Sequence, residues 1–415
     1  MTTTIVIIFL VVYLGMILGG LPFVQLDRTG VALLGAIAMI SFDAIGLREA
    51  AEAIHLPTII LLFSFMVVSA QMRLGGFYDW VTRSLAALKL SPSQLLGAMM
   101  IVVAGLSAVF SNDIVCLAVA PVLINACLER RLNPVPYLLA LACAANIGSA
   151  ATLIGNPQNM LIGQTLRLSF AGYFAEAAVP VALGLVATWG LIAWQTRGRW
   201  AQDNGGTPEH TARQIREVET PLDRWQTTKG LAVAAVLWVV FLFAPWPREH
   251  VALTAAGLLL MSRRLHSNQM LGLVDWELLV LFMGLFVVNH ALHQTGLPAK
   301  LITDLTALGL DLRQPGPLFL VTFLLSNIVS NVPAVMLLVP LVEHAMGGPV
   351  LALVSTLAGN LLIVGSIANI IVVDAAARRG IRIDWRTHAR VGVPVTLTTL
   401  AICAAYLWLR LGAMN

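Results

Sequence analysis

Two short polar clusters interrupt an otherwise apolar sequence, and they are near-copies of each other. Ser111-Asn112-Asp113 lies within SAVFSNDIVCLAVAP, and Ser330-Asn331-Val332-Pro333 within SNIVSNVPAVMLLVP. Downstream of each comes a second kind of break, AATLIGNPQNMLIG over 150–163 and GNLLIVGSIANII over 359–371. Gly155, Pro157 and Gly365 interrupt helical hydrogen bonding there. Unwound backbone exposes carbonyls that can hold a cation, and restarting half-helices aim N–H groups and a positive dipole end at an anion. Short Asn and Ser side chains can fill the remaining coordination positions. The candidate substrate- or ion-binding residues are therefore Ser111, Asn112, Asp113, Gly155, Asn156 and Asn159, with Ser330, Asn331, Gly365, Ser366 and Asn369. Asp113 is the one acid among them. A carboxylate inside a membrane is a functional hypothesis by default, so Asp113 is the candidate proton carrier, with a helix cap as the plain alternative.

The elements that hold these clusters must be membrane helices. Of the 415 residues, 58% are hydrophobic and 11% are charged, too few charges to cover a soluble surface. Apolar stretches fall near 4–21, 30–45, 57–71, 135–166, 172–195, 229–244, 250–262, 276–291, 349–376 and 392–411. The first of these lacks a basic flank and reads as a retained helix, not a signal peptide. Two further apolar regions, 92–128 and 315–345, are broken by the polar tips and read as re-entrant helical hairpins. The chain then crosses ten times, and one set of loops collects nineteen of the 25 Lys and Arg. That face is expected to be cytoplasmic, with both termini outside, in an inner (cytoplasmic) membrane. A net charge of +4 is what such loops produce and gives no nucleic-acid footprint.

The two halves align with each other. Val31-Ala32-Leu33 recurs as Val251-Ala252-Leu253, while Ser107, Ser111, Asn112 and Pro121 recur as Ser326, Ser330, Asn331 and Pro340. Gly155 and Asn159 recur as Gly365 and Asn369. An odd number of crossings per half inverts the second half, the plan of many secondary transporters. The fold class is thus an all-α polytopic membrane protein, an inverted repeat of two five-span halves, each with a re-entrant hairpin and a broken helix. The first repeat spans 1–195, a solvated cytoplasmic linker 196–228, and the second repeat 229–415.

The tips SND and SNVP, with ATLIGNPQN and GNLLIVGSIAN at the breaks, resemble the ion transporter superfamily. That group includes arsenite permeases, related sodium–proton antiporters, citrate–metal symporters and divalent-anion sodium symporters. The sodium-coupled carboxylate members carry Ser-Asn-Thr at both tips, whereas Asp113 and Val332 stand third here. The Asn112-Asp113 pair looks more like the arsenite permease and antiporter branch. The resemblance implies roles for the site residues named above and an ion-coupled carrier of a small anion or oxyanion, arsenite-type efflux being the most specific reading. Sodium–proton exchange and citrate or carboxylate symport are the alternatives within the fold, and a channel or membrane-embedded enzyme the alternatives outside it. No HExxH, GxSxG or Walker A sequence is present. No catalytic residue, metal or cofactor is expected; the coupling ion is H⁺ or Na⁺. The expected partners are the solute, the lipid bilayer and a second copy in a homodimer, with no nucleic acid.

Minor features have plain readings. Gly15 and Gly19 form a GxxxG for helix packing. His290 and His293 fall at a span end near the surface, Glu176 reaches the interface, and the four cysteines are small buried hydrophobes.

Overall fold

A computed structural model describes residues 1–21, 24–201 and 221–414. Most of the expected linker, residues 202–220, lies outside the described residues. The first half runs α1 (Thr2–Leu18), α2 (Arg28–Ser41), α3 (Leu47–Ala53), α4 (Leu56–Leu74), α5 (Phe77–Ala86), α6 (Pro92–Val109), α7 (Asn112–Glu129), α8 (Pro134–Ser149), α9 (Pro157–Thr165) and α10 (Phe170–Gln195). The second runs α11 (Arg224–Phe243), α12 (Arg248–Leu260), α13 (Ser267–Leu271), α14 (Trp276–Gln294), α15 (Leu297–Ala307), α16 (Pro315–Val329), α17 (Asn331–Leu338), α18 (Gly347–Ala358), α19 (Ile367–Ala377) and α20 (Trp385–Met414). Among the described residues, α4, α6, α7, α10, α11, α14 and α20 are each long and apolar enough to cross a membrane. The chain is a multi-pass helical membrane protein. Among the described residues the departures from all-α are small: a two-residue antiparallel pair, Gly20–Leu21 with Leu26–Asp27, before α2, and an isolated bridge between Leu132 and Ala201.

Local chemistry places the helix starts. Ser91 and Gln94 form a reciprocal capping box at α6, with Pro92 in the first turn. Asp223 caps α11 and Asp275 caps α14. Pro157 opens α9 where its missing N–H costs nothing, so proline restarts the broken span, and residues 150–156 carry the interruption.

The element order repeats, and so do the contacts. α2 packs on α14 as α4 packs on α12; α8 packs on α19 as α9 packs on α18; α10 packs on α20. Both polar-tipped regions are helix–tip–helix units. The first has two arms of 18 residues, somewhat longer than the sequence suggested, and the second has arms of 15 and 8. Pro121 lies inside α7 without ending it, whereas α17 gives way at Leu338 to a 3₁₀ turn containing Pro340.

Charged ends define two faces. Asp223 N–H donates to Gly75 O at 3.0 Å, Arg264 pairs with Asp223 at 3.8 Å, and Thr29 Oγ1 donates to Glu277 O at 3.4 Å. The end of α4 and the starts of α2, α11 and α14 therefore share one face, together with the arginines at the ends of α7 and α19. On the other face Glu176 pairs with Arg410, and His290 lies 3.5 Å from Glu49. Gly15 packs as expected: a Cβ there would stand 2.6 Å from Val31 Cγ1. Gly19 corrects the GxxxG reading. It is the left-handed C-cap of α1 at φ 80°, with open space around it. All four cysteines are buried and free.

Candidate functional site

The two tips meet the two breaks deep in the protein. Asn112 N–H donates to Gly155 O at 3.1 Å. Gly155 lies in the interruption between α8 and α9, so the first tip sits against that break. At the second tip, Asn331 Nδ2 is 2.9 Å from where a Cβ on Gly359 would stand, placing that tip against the α18–α19 break. Ser111 and Ser330 hold positive φ, 71° and 77°, a conformation rare outside glycine.

A network of neutral side chains joins the halves. Asn146, on α8, is its hub. Its Oδ1 accepts from Asn112 Nδ2 at 3.0 Å and Ser366 Oγ at 2.9 Å, and its Nδ2 donates to Asn360 Oδ1 at 2.9 Å and Asn369 Oδ1 at 3.3 Å. Thr356, on α18, plays the reciprocal part. Its Oγ1 accepts from Asn156 Nδ2 at 3.2 Å and Gln158 Nε2 at 3.3 Å, and lies 3.4 Å from Asn159 Oδ1. Each break is also braced within itself: Asn159 Nδ2 donates to Thr152 O and Asn369 Nδ2 to Gly359 O and Leu362 O. The eleven sequence candidates thus lie at the two tips and breaks, with Asp113 in the first turn of α7.

Asp113 is half-buried, and among the described residues its carboxylate makes no hydrogen bond or ion pair. A cap would accept from a backbone N–H, so the capping alternative lacks its bond. Three buried carboxamide oxygens at the site have no donor, those of Asn112, Asn327 and Asn331. Four helices, α7, α9, α17 and α19, start there with their N–H ends inward. Among the described residues, the one ring nitrogen on the network is His388 Nε2, 3.1 Å from Asn360 O, and no Lys or Arg hydrogen-bonds to the network.

Sequence reasoning missed Asn146, Gln158, Thr356 and Asn360. A lone Asn or Thr in a helix reads as packing glue. A usable signal existed in α8, whose small residues leave no face for lipid; every residue from Pro134 to Ser149 except Val135 and Pro136 is buried. A polar side chain on such a helix must face protein.

From α7 and α19 a cavity of about 740 Å³ opens to the arginine-rich face. Its lining includes Leu117 and Ile371, which follow Asp113 and Asn369 along their helices, together with Arg73, Arg130 and Arg378. A sequence profile of the citrate transporter family matches residues 5–358.

The chain belongs to the citrate transporter family.

Several of its relatives are named as transporters, which agrees with a secondary transporter and not an enzyme. Silicon efflux transporter LSI3 from Oryza sativa subsp. japonica is 30% identical, with 92% of each chain covered. Inner membrane protein YbiR from Escherichia coli is 32% identical over 81% of this chain and 83% of that protein. The solved structure of the Alcanivorax borkumensis YdaH transporter shares the fold at a TM-score of 0.54 and 16% identity, over 99% of this chain and 98% of that one. The resemblance to the ion transporter superfamily read from the tips and breaks therefore holds at the level of family.

Proposed function

We propose that this citrate transporter family member is an ion-coupled carrier of a small oxyanion or oxyacid, with arsenite-type efflux as the specific reading. The observation that carries it is the convergence of four helix N-termini on a neutral carboxamide network, with one unpaired carboxylate, Asp113, next in sequence to Asn112. Helix N-termini favour oxyanions, and hydroxyl-rich solutes match the unpaired carboxamide oxygens as hydrogen-bond donors. A fully ionised citrate would lack a basic partner there and would need a cation or protons with it. The relative named as a silicon efflux transporter is consistent with a hydroxylated solute.

In this reading residues 1–195 and 229–415 are inverted repeats, supported by the exchanged packing partners. The arginine-rich face is cytoplasmic, both termini are outside, and alternating access exposes the tips to each side in turn. Asp113 carries the coupling proton. Sodium coupling is the second reading, favoured by the unpaired oxygens of Asn112, Asn327 and Asn331.

Transport into inverted membrane vesicles under an imposed proton gradient tests this, comparing arsenite, silicic acid, citrate and phosphate, with and without sodium. Gradient-driven accumulation of arsenite or silicic acid is expected. Uptake of citrate alone overturns the oxyacid reading, and uptake only with sodium selects the second coupling ion.

A further inference from the structure

Both broken spans end in the same turn. At the end of α9, Leu168 N–H returns to Gly163 O at 3.1 Å and Arg167 N–H to Gln164 O at 3.3 Å, with Arg167 at φ 50°. At the end of α19, Ile381 N–H returns to Ala376 O at 3.0 Å and Gly380 N–H to Ala377 O at 3.0 Å, with Gly380 at φ 73°. Each turn leaves carbonyls aimed outward at the negative end of a helix, a place for a cation.

Among the described residues, Arg248 places a guanidinium at the α9 turn. Arg248 Nη2 donates to Gly163 O and to Leu168 O, both at 2.9 Å, and the next residue, Glu249, accepts from Gln164 Nε2 at 3.2 Å. Arg248 is the first residue of α12. Its counterpart in the repeat is Arg28, the first residue of α2, three residues before Val31-Ala32-Leu33 as Arg248 is before Val251-Ala252-Leu253. Arg28 lies on the arginine-rich face, where α19 also ends. Its Nε is buried, and among the described residues it has no partner. A buried donor left unpaired is costly and calls for an explanation. The open cavity supplies one. It is lined by Asp374 and Arg378 at the end of α19, on the same face as Arg28, whereas the end of α9 is sealed by Arg248.

We propose that Arg248 and Arg28 are alternating latch residues: Arg248 holds the end of α9 in the state seen here, and Arg28 grips Ala376 O and Ile381 O when the opposite face closes. The inference rests on the alternating-access reading of the fold. It adds two residues that position the moving helices without touching the solute. Arginine suits the task because one planar group can bond two carbonyls and stays charged at any working pH.

The test uses the full chain in oriented vesicles, with the four native cysteines replaced by alanine and one cysteine placed at Asn125, an exposed residue of the cavity wall. An impermeant maleimide applied from the arginine-rich face reads how often the cavity is open. Losing two charge-assisted hydrogen bonds shifts a two-state balance by about tenfold or more, so Arg248→Gln should slow labelling by about that factor. Adding Arg28→Gln should return the rate toward that of the parent. Arg248→Lys, which reaches one carbonyl at a time, should fall between and serves if the Gln variant misfolds. Labelling unchanged in both Arg248 variants, or not restored by Arg28→Gln, overturns the latch. No solute is needed, so a wrong oxyacid assignment would show in the vesicle transport assay and leave this result untouched.

Discussion

Asn146 makes four hydrogen bonds that no sequence pattern announced, and it sets what single substitutions should do. Asn146→Ala would leave several buried groups unpaired at about 1–3 kcal/mol each. It should lower the unfolding midpoint in detergent by many degrees and abolish transport. Asn112→Ala removes only one donor, because Ser366 still serves Asn146 Oδ1. Asn112→Ala and Asn331→Ala should therefore insert and stay folded while uptake is lost; wild-type uptake in both would remove the tips from the site. Asp113→Asn keeps the shape and removes the charge. It should lose transport driven by a pH gradient while keeping solute exchange at equal pH, measured in proteoliposomes. Intact gradient-driven transport would exclude Asp113 as the proton carrier. The tips and breaks were legible because small polar residues there interrupt long apolar runs twice, in the same order. Asn146 and Thr356 were not, since each is one polar residue in a continuous helix, and its partners come from the other half of the chain.

Among the elements, the tips and breaks use opposite backbone solutions. Ser111 and Ser330 occupy positive φ without being glycine, at a cost of about 1–3 kcal/mol each. Ser111→Gly and Ser330→Gly should relieve that strain and raise the unfolding midpoint, while transport falls with the lost hydroxyl. A rise in neither would mean the tip conformation is not strained. Gly155 is the reverse case: a Cβ there would stand 2.3 Å from Ser149 O, backbone that cannot step aside. Gly155→Ala should destabilise by about 1–3 kcal/mol, read from the same melting curves. The sequence exposed the long apolar helices because hydropathy reports them directly. It hid α3, α5, α13 and α15, which are 5 to 11 residues long and mix charged or polar with apolar side chains. Such segments look like loops until something packs against them. Pro157 was legible as a break but not as the start of α9, because only the cap from Asn156 distinguishes the two.

For the whole molecule, the sorting of basic loops foretold which helix ends share a face, since that rule depends on charge count alone. It could not foretell which face is open, because that depends on how the two halves are seated. Orientation is checked by impermeant labelling of intact cells: Gln314→Cys should react from outside and Arg264→Cys only after the membrane is opened. Reversed reactivity would invert every assignment of side. One pair of elements carries a further consequence. α2 and α12 have 14 and 13 residues and occupy matching places in the two halves. At 1.5 Å per residue each is about 20 Å long, against about 30 Å of hydrocarbon. Leu33, Leu34 and Ile37 on α2, and Leu253 and Leu258 on α12, are nonetheless exposed on the outer surface. Lipid tails beside them must splay or shorten to meet helices this short, at a fraction of a kcal/mol per Å. The protein should then sit in a dimple of its own making. Its turnover should be faster in vesicles of short-chain phosphatidylcholine than in long-chain ones, and equal rates across chain lengths would show that the surrounding helices absorb the mismatch instead.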